Sequence, residues 1–312
     1  MTTLFYLLGY LAVIGFVALA YMKIKSYYKA SPLHVRWELY PVPHEGAKAQ
    51  YGGSFMEEKE WWTKPRHIEH MGDIMGIFKE VLFLHATFEH NLKIWVRTYP
   101  FHLGMYLLMG GVIILLGGTV LEIFGLSPDS WLMTVIGNVL NACALAGNFC
   151  IIVGGCALIQ RRLADPGLRR YSTKEHYLNL GSFVVFGVFG LLAWLANPSF
   201  YSLAHDFMHN LLTFNFACLN STLFCLHLLV GFLLMILIPV TNMGHLIMKY
   251  WMYHDIRWGD SPTAQDEKNQ GKIPDILQYK TTWAAAHIAG DGQAKTWLEV
   301  ATTNPAAPKK ED

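Results

Sequence analysis

Charge is what this chain has least of: Asp, Glu, Lys and Arg make up only 15% of its residues, while 53% are hydrophobic. Soluble domains carry about 25% charged residues. The scarcity is local. Lys and Arg number 11 from Lys23 to Arg97, 5 from Arg161 to Lys174 and 8 from Lys249 onward, which accounts for all 24. None precedes Lys23, and none falls within residues 125–130 or 197–215. Cysteine is missing from the places where it would carry chemistry. Cys143, Cys150, Cys156, Cys218 and Cys225 all fall in apolar runs, with no CxxC and no CxxCH. That excludes a disulfide framework, a zinc or iron–sulfur site and covalent haem c on this chain, and leaves the cysteines as small packing residues between helices. A net charge of +1 offers no footing for nucleic acid. No internal repeat or low-complexity tract is evident.

What remains is five long apolar runs, at residues 4–22, 102–121, 131–159, 177–196 and 216–248. Each meets the roughly 20 residues needed to cross a bilayer core, so the expected fold is all-α and integral to the membrane, with five transmembrane helices. The opening Met1-Thr2-Thr3 lacks a basic n-region and no small-x-small site precedes Lys23, so the first run is expected to be a retained helix. The positive-inside rule puts the N-terminus outside and the basic loops and C-terminal tail in the cytoplasm, with an odd number of crossings. The expected setting is a bacterial cytoplasmic membrane.

The expected organisation is a first transmembrane helix (1–22), a cytoplasmic segment (23–100), a four-helix membrane domain (101–248) and a cytoplasmic tail (249–312). Residues 32–65 are rich in Pro, Gly and charge and read as irregular. Beyond them Met71, Ile74, Phe78, Val81, Leu82, His85, Phe88, Leu92 and Trp95 recur at three- and four-residue steps. They predict a cytoplasmic amphipathic helix lying in the membrane interface or under a partner. The tail has too few apolar positions for its own core and is expected to wrap over a cytoplasmic partner.

Histidine is rare in lipid-buried helices because its ring must find a partner or a metal. Of fourteen histidines, three fall in apolar runs: His102, His227 and His245. His227 and His245 stand eighteen residues apart, about five turns, or roughly 27 Å, of continuous α-helix. Both rings would then leave one face of the last helix, one near each membrane surface, as two stacked haems would require. Interhelical hydrogen bonding is the alternative for each ring, and Pro239 between them makes the alignment approximate. His102 opens the second run at a depth that could meet His245.

These residues also carry a family resemblance. Leu226-His227-Leu228-Leu229-Val230-Gly231, then Ile238-Pro239 and Gly244-His245, resembles the last helix of the gamma subunit of respiratory nitrate reductase. Gln160-Arg161-Arg162-Leu163 with Pro166, Arg170 and Thr173 resembles that family's loop between helices three and four, and Phe101-His102-Leu103-Gly104 the start of its second helix. The likeness spans roughly residues 101–249. The flanking segments look more like the membrane cytochrome b subunits of sulfate-reducer redox complexes of the Dsr and Tmc type and their heterodisulfide reductase relatives.

The resemblance implies an electron-transfer subunit rather than a stand-alone catalyst. Its haem b would exchange electrons between menaquinone or another quinone and a cytoplasmic iron–sulfur subunit. Further subunits would complete a respiratory complex, with a periplasmic multihaem cytochrome c as one candidate. It implies His102 and His245 as ligands of the haem nearer the cytoplasm, and His227 as one ligand of an outer haem. The family's fourth ligand position is Val112 here, and its basic residue near the quinone corresponds to Asn138. His209 and His205, in the loop before helix five, and Met109 are the replacement candidates, with a missing second haem as the remaining alternative. Asn138, Asn141, Glu122 and Asp206 are polar groups near the outer surface suited to a quinone. His67, His70, His85 and His90 cluster along the amphipathic helix and are expected to pack against the membrane or a partner. A proton or solute carrier and a passive anchor are the competing readings. The absence of charge inside the spans and of Gly/Pro-broken helices in matched halves counts against a carrier.

Overall fold

The computed structural model describes residues 2–28, 46, 58–60, 63–65, 69–197, 199–245, 271–283, 285, 288 and 292–303. It divides into two compact units, residues 1–23 with 69–246, and residues 24–68 with 247–312. The first contains α1 (Thr2–Tyr28) as far as Lys23, α2 (His70–Phe83), α3 (His85–His90), α4 (Leu92–Ile123), α5 (Trp131–Ala164), α6 (Pro166–Tyr171), α7 (Lys174–Ala196), α8 (Phe200–Leu212), α9 (Thr222–Val240) and a 3-10 turn at Asn242–Gly244. Among the described residues, helices α1, α4, α5, α7 and α9 are the five long and apolar enough to cross a membrane. The chain is an all-α, multi-pass membrane protein, as its apolar runs predict.

Short polar residues decide where these helices begin. Asn91 accepts the Ile94 amide, Ser130 the Met133 amide and Ser221 the Phe224 amide, at 3.1, 3.4 and 3.3 Å. Each accepts from one of the orphan donors of a helix N-terminus, a contribution of about 1 kcal/mol. At the far end of α4, Gly125 takes a left-handed conformation (φ 103°). It lets the Leu126 amide reach back to the Leu121 carbonyl at 3.0 Å and closes the helix.

The boundaries depart from the apolar runs in ways that matter later. Helix α4 starts ten residues before His102, because Asn91 rather than the first uncharged residue caps it. Helix α9 is shorter than the run at 216–248: Ser221 delays its start and Thr241, with extended backbone angles, ends it. Cys218 therefore lies in the connection before α9 rather than in a span. The segment holding His205 and His209 is not a loop but the amphipathic helix α8. The single amphipathic helix expected before the second span is broken, at Leu84 (φ 50°) and again at Asn91. The irregular reading of residues 32–65 falls almost entirely outside the described residues.

Small residues bring the spans together, as expected where apolar burial gives helices no advantage over lipid. A β-carbon on Gly154 of α5 would stand 2.4 Å from the Phe101 amide nitrogen of α4, so the two backbones touch there. Gly187 of α7 faces Ile152 of α5, and Gly231 of α9 faces Phe186 of α7. Helix α1 joins through Tyr6, which is fully buried, stacks on Phe207 and Phe216 and donates to the Ala217 carbonyl at 3.1 Å.

In the second unit, α10 (Ile273–Leu277) and α11 (Trp297–Thr302) flank a short antiparallel contact in which the Thr281 amide donates to the Lys295 carbonyl at 2.8 Å. Thr296 and Glu299 form a capping box, and the Thr296 amide and hydroxyl hold the Glu299 carboxyl below its usual range. The tail thus has ordered local structure where its composition suggests only loop.

Gly154→Ala should push α4 from α5, an overpacking cost of about 1–3 kcal/mol, and lower the melting temperature in detergent. Gly117→Ala, whose β-carbon meets nothing within 4 Å, should leave it unchanged.

Candidate functional site

Three histidines stand within or at the end of the spans, and the chain orients each in the same way. His102 Nδ1 donates to the Thr98 carbonyl at 2.8 Å, His227 Nδ1 to the Phe186 carbonyl at 2.9 Å and His245 Nδ1 to the Asn242 carbonyl at 3.1 Å. A carbonyl oxygen can only accept, so each Nδ1 carries the proton and each Nε2 carries the lone pair. This is the state a metal-ligating histidine adopts, with its second nitrogen anchored on a backbone oxygen.

His102 and His245 come together. Their ring centroids are 6.1 Å apart with an interplanar angle of 66°. Two imidazoles on opposite sides of one metal, with nitrogen–metal bonds of about 2 Å, hold their ring centres roughly 6 Å apart. At this spacing His102 and His245 would have room to hold one metal between them. The route to this geometry differs from the sequence expectation. His245 does not continue the face of α9 that carries His227, because the helix has ended at Val240 and a 3-10 turn intervenes. The five-turn alignment is lost, and His245 is presented by a turn.

His227 is buried, with 7% of its surface exposed. Phe186 stacks on it at 4.1 Å and 23°, and Phe200 and Phe224 lie edgewise or tilted at 6.2 and 6.4 Å. Its ring contacts are thus aromatic, and neither His205 nor His209 is among them. Those two histidines lie on α8, with ring centroids 6.0 Å apart. His205 Nε2 pairs with the Glu122 carboxylate at the end of α4, both side chains 16% exposed, and Asp206 stands 3.8 Å from its Nδ1. Tyr201 packs against His205 at 5.4 Å; burial pushes its phenol up, and the charges of Glu122 and Asp206 add to that. Met109 and Val112 turn outward from the bundle, 59% and 53% exposed. The position where the family resemblance calls for a ligand thus faces away from the interior.

Of the proposed quinone-facing groups, Glu122 and Asp206 meet around His205, whereas Asn141 accepts the Tyr201 amide at 2.9 Å and so tethers the start of α8. Asn138 is exposed. On the basic side, His85 pairs with Glu89 at 3.2 Å, and both are exposed. His70 and His90 are exposed, and His67 lies outside the described residues. The end of α2 is fastened near the His102 site: Tyr106, whose ring lies 6.3 Å from that of His102, donates to the Val81 carbonyl, and Trp95 Nε1 donates to the Phe83 carbonyl at 2.8 Å. Sequence reasoning missed Phe186, whose carbonyl and ring both serve His227; an aromatic in a span carries no sign of such a role. Among the described residues no three metal-ligating side chains converge.

A family model described as nitrate reductase gamma subunit matches residues 86–258, more than half of the chain. Comparison with curated proteins and with solved structures returns no match. The matched residues contain His102, His205, His209, His227 and His245. They leave out most of the flanking segments behind the likeness to sulfate-reducer subunits, which gains no support.

Glu122→Ala removes the partner of His205 and should loosen α8. A charge-assisted hydrogen bond of this kind contributes about 1.5 kcal/mol, so amide hydrogen exchange along α8 should quicken about tenfold. Unchanged exchange would show that the pair does not hold the helix.

Proposed function

Because this chain belongs to the nitrate reductase gamma subunit family, haem b membrane subunits of a quinone-linked oxidoreductase complex, we propose that it is the electron-transfer subunit of a respiratory complex. In this reading it links the quinone pool to a cytoplasmic iron–sulfur subunit and catalyses nothing alone. The observation that supports it best is the His102–His245 pair, two imidazole rings 6.1 Å apart, each with Nδ1 on a carbonyl.

Haem b bound there supplies a one-electron couple whose potential depends on its axial ligands and their hydrogen bonds. His102 and His245 would hold such a haem's iron through Nε2. The Thr98 and Asn242 carbonyls keep both rings in the ligating tautomer. Tyr106, bonded to Val81, fastens the end of α2 to α4 beside the site. On the other side His227 would provide one ligand of a second haem, with His209 its preferred partner, since Glu122 already holds His205. Reaching it requires a rearrangement of the aromatic shell around His227. Glu122 and Asp206 exchange protons with quinone oxygens, and Asn138 and Asn141 flank that surface. The quinone is menaquinone or another quinone, and a periplasmic multihaem cytochrome c is a candidate further partner.

A pyridine haemochrome spectrum of the purified chain should show haem b; a chain without it would end this proposal. His102→Ala and His245→Ala should each remove the same spectral component, and His227→Ala a different one. Loss of a single component across all three variants would establish one haem.

A further inference from the structure

The turn that presents His245 is tied to helices distant in sequence. Pro239 has no amide hydrogen to give Met235, and Thr241 adopts φ −102° and ψ −178°, so α9 stops and its last carbonyls lose their intrahelical donors. Thr241 meets one of them, its amide and hydroxyl both reaching the Leu237 carbonyl at 3.0 and 2.8 Å. Lys23, near the end of α1, meets others: its Nζ donates to the Pro239 carbonyl at 2.9 Å and the Thr241 carbonyl at 3.4 Å. The ammonium lies against the residue before His245, since a β-carbon on Gly244 would stand 3.1 Å from Nζ and 3.0 Å from the Ile238 carbonyl. From α7, Asn179 Nδ2 donates to Asn242 Oδ1 at 2.9 Å, and Glu175 accepts the Asn242 amide at 3.5 Å. Asn242 is the residue whose carbonyl receives His245 Nδ1.

We propose that Lys23 is a positioning residue for the axial ligand His245, acting with Asn179 to hold the two ends of the turn that aims its Nε2. The proposal rests on the reading of His102 and His245 as haem ligands. Lys23 places a cation on the negative end of α9 and closes the carbonyls that the helix break exposes. A fixed positive charge beside the ligand also favours the reduced state of the group held there. Lys23 lies outside the residues matched by the family model, so the tie comes from this chain's own first helix.

The test uses the full chain in membranes, with potentiometry and electron paramagnetic resonance of each haem component. His245→Ala first identifies the component that depends on this ligand; if it removes none, the haem reading fails and the proposal falls with it. Lys23→Met should lower the potential of that component and shift its resonance, leaving any His227-dependent component as in the parent. Lys23→Arg should restore both. Asn179→Ala, which retains the charge, should shift the resonance of the same component, and it carries the test if Lys23→Met does not accumulate. A Lys23→Met or Asn179→Ala chain with that component unshifted, or with both components shifted alike, would overturn the positioning role while leaving the ligand reading intact.

Discussion

A polar side chain inside hydrocarbon must find its hydrogen bonds within the protein, since no water is there to supply them. This chain answers mostly with its own backbone. Thr119 donates to the Leu115 carbonyl, Asn148 to Ala144, Ser182 to Leu178 and Trp194 to Asn141, at 2.7 to 3.1 Å. The histidines obey the same rule, and in their case the rule has a chemical result. A ring that spends Nδ1–H on a carbonyl presents an unprotonated Nε2, so the demand for internal satisfaction prepares the nitrogen that a haem iron needs.

The spans themselves were legible because lipid solvation needs a length and a composition, both written locally. The histidine pair was legible in part. His102 and His245 could be matched by depth, and the structure brings their rings together, but the continuous helix supposed to carry His245 is not there. A proline near a helix end suggests a stop, yet whether the chain resumes depends on donors elsewhere, here Lys23 and Thr241. Positive charge near a membrane surface reads as a topology signal, and nothing in its spacing reveals which carbonyl it will meet. Helix α8 escaped for another reason: thirteen residues with alternating apolar and polar character are too short to span and too mixed to resemble a span.

The two ends of the bundle are unequally built. At the basic end two imidazoles meet edgewise and the end of α2 is fastened beside them. At the opposite end the histidines divide: His227 sits in an aromatic shell, while His205 is engaged by Glu122 and neighbours Asp206 and Tyr201. Charged and titratable groups thus gather on α8 and the tip of α4.

The contact between Phe101 and Gly154 has a consequence for depth. It is a place where the main chains of α4 and α5 meet without side chains between them, and the next residue is His102. Side-chain packing tolerates slippage by rotamer change; two abutting backbones do not. The ring of His102 is therefore registered along the membrane normal by a rigid stop, and its distance from the surface should follow the protein rather than the thickness of the lipid around it.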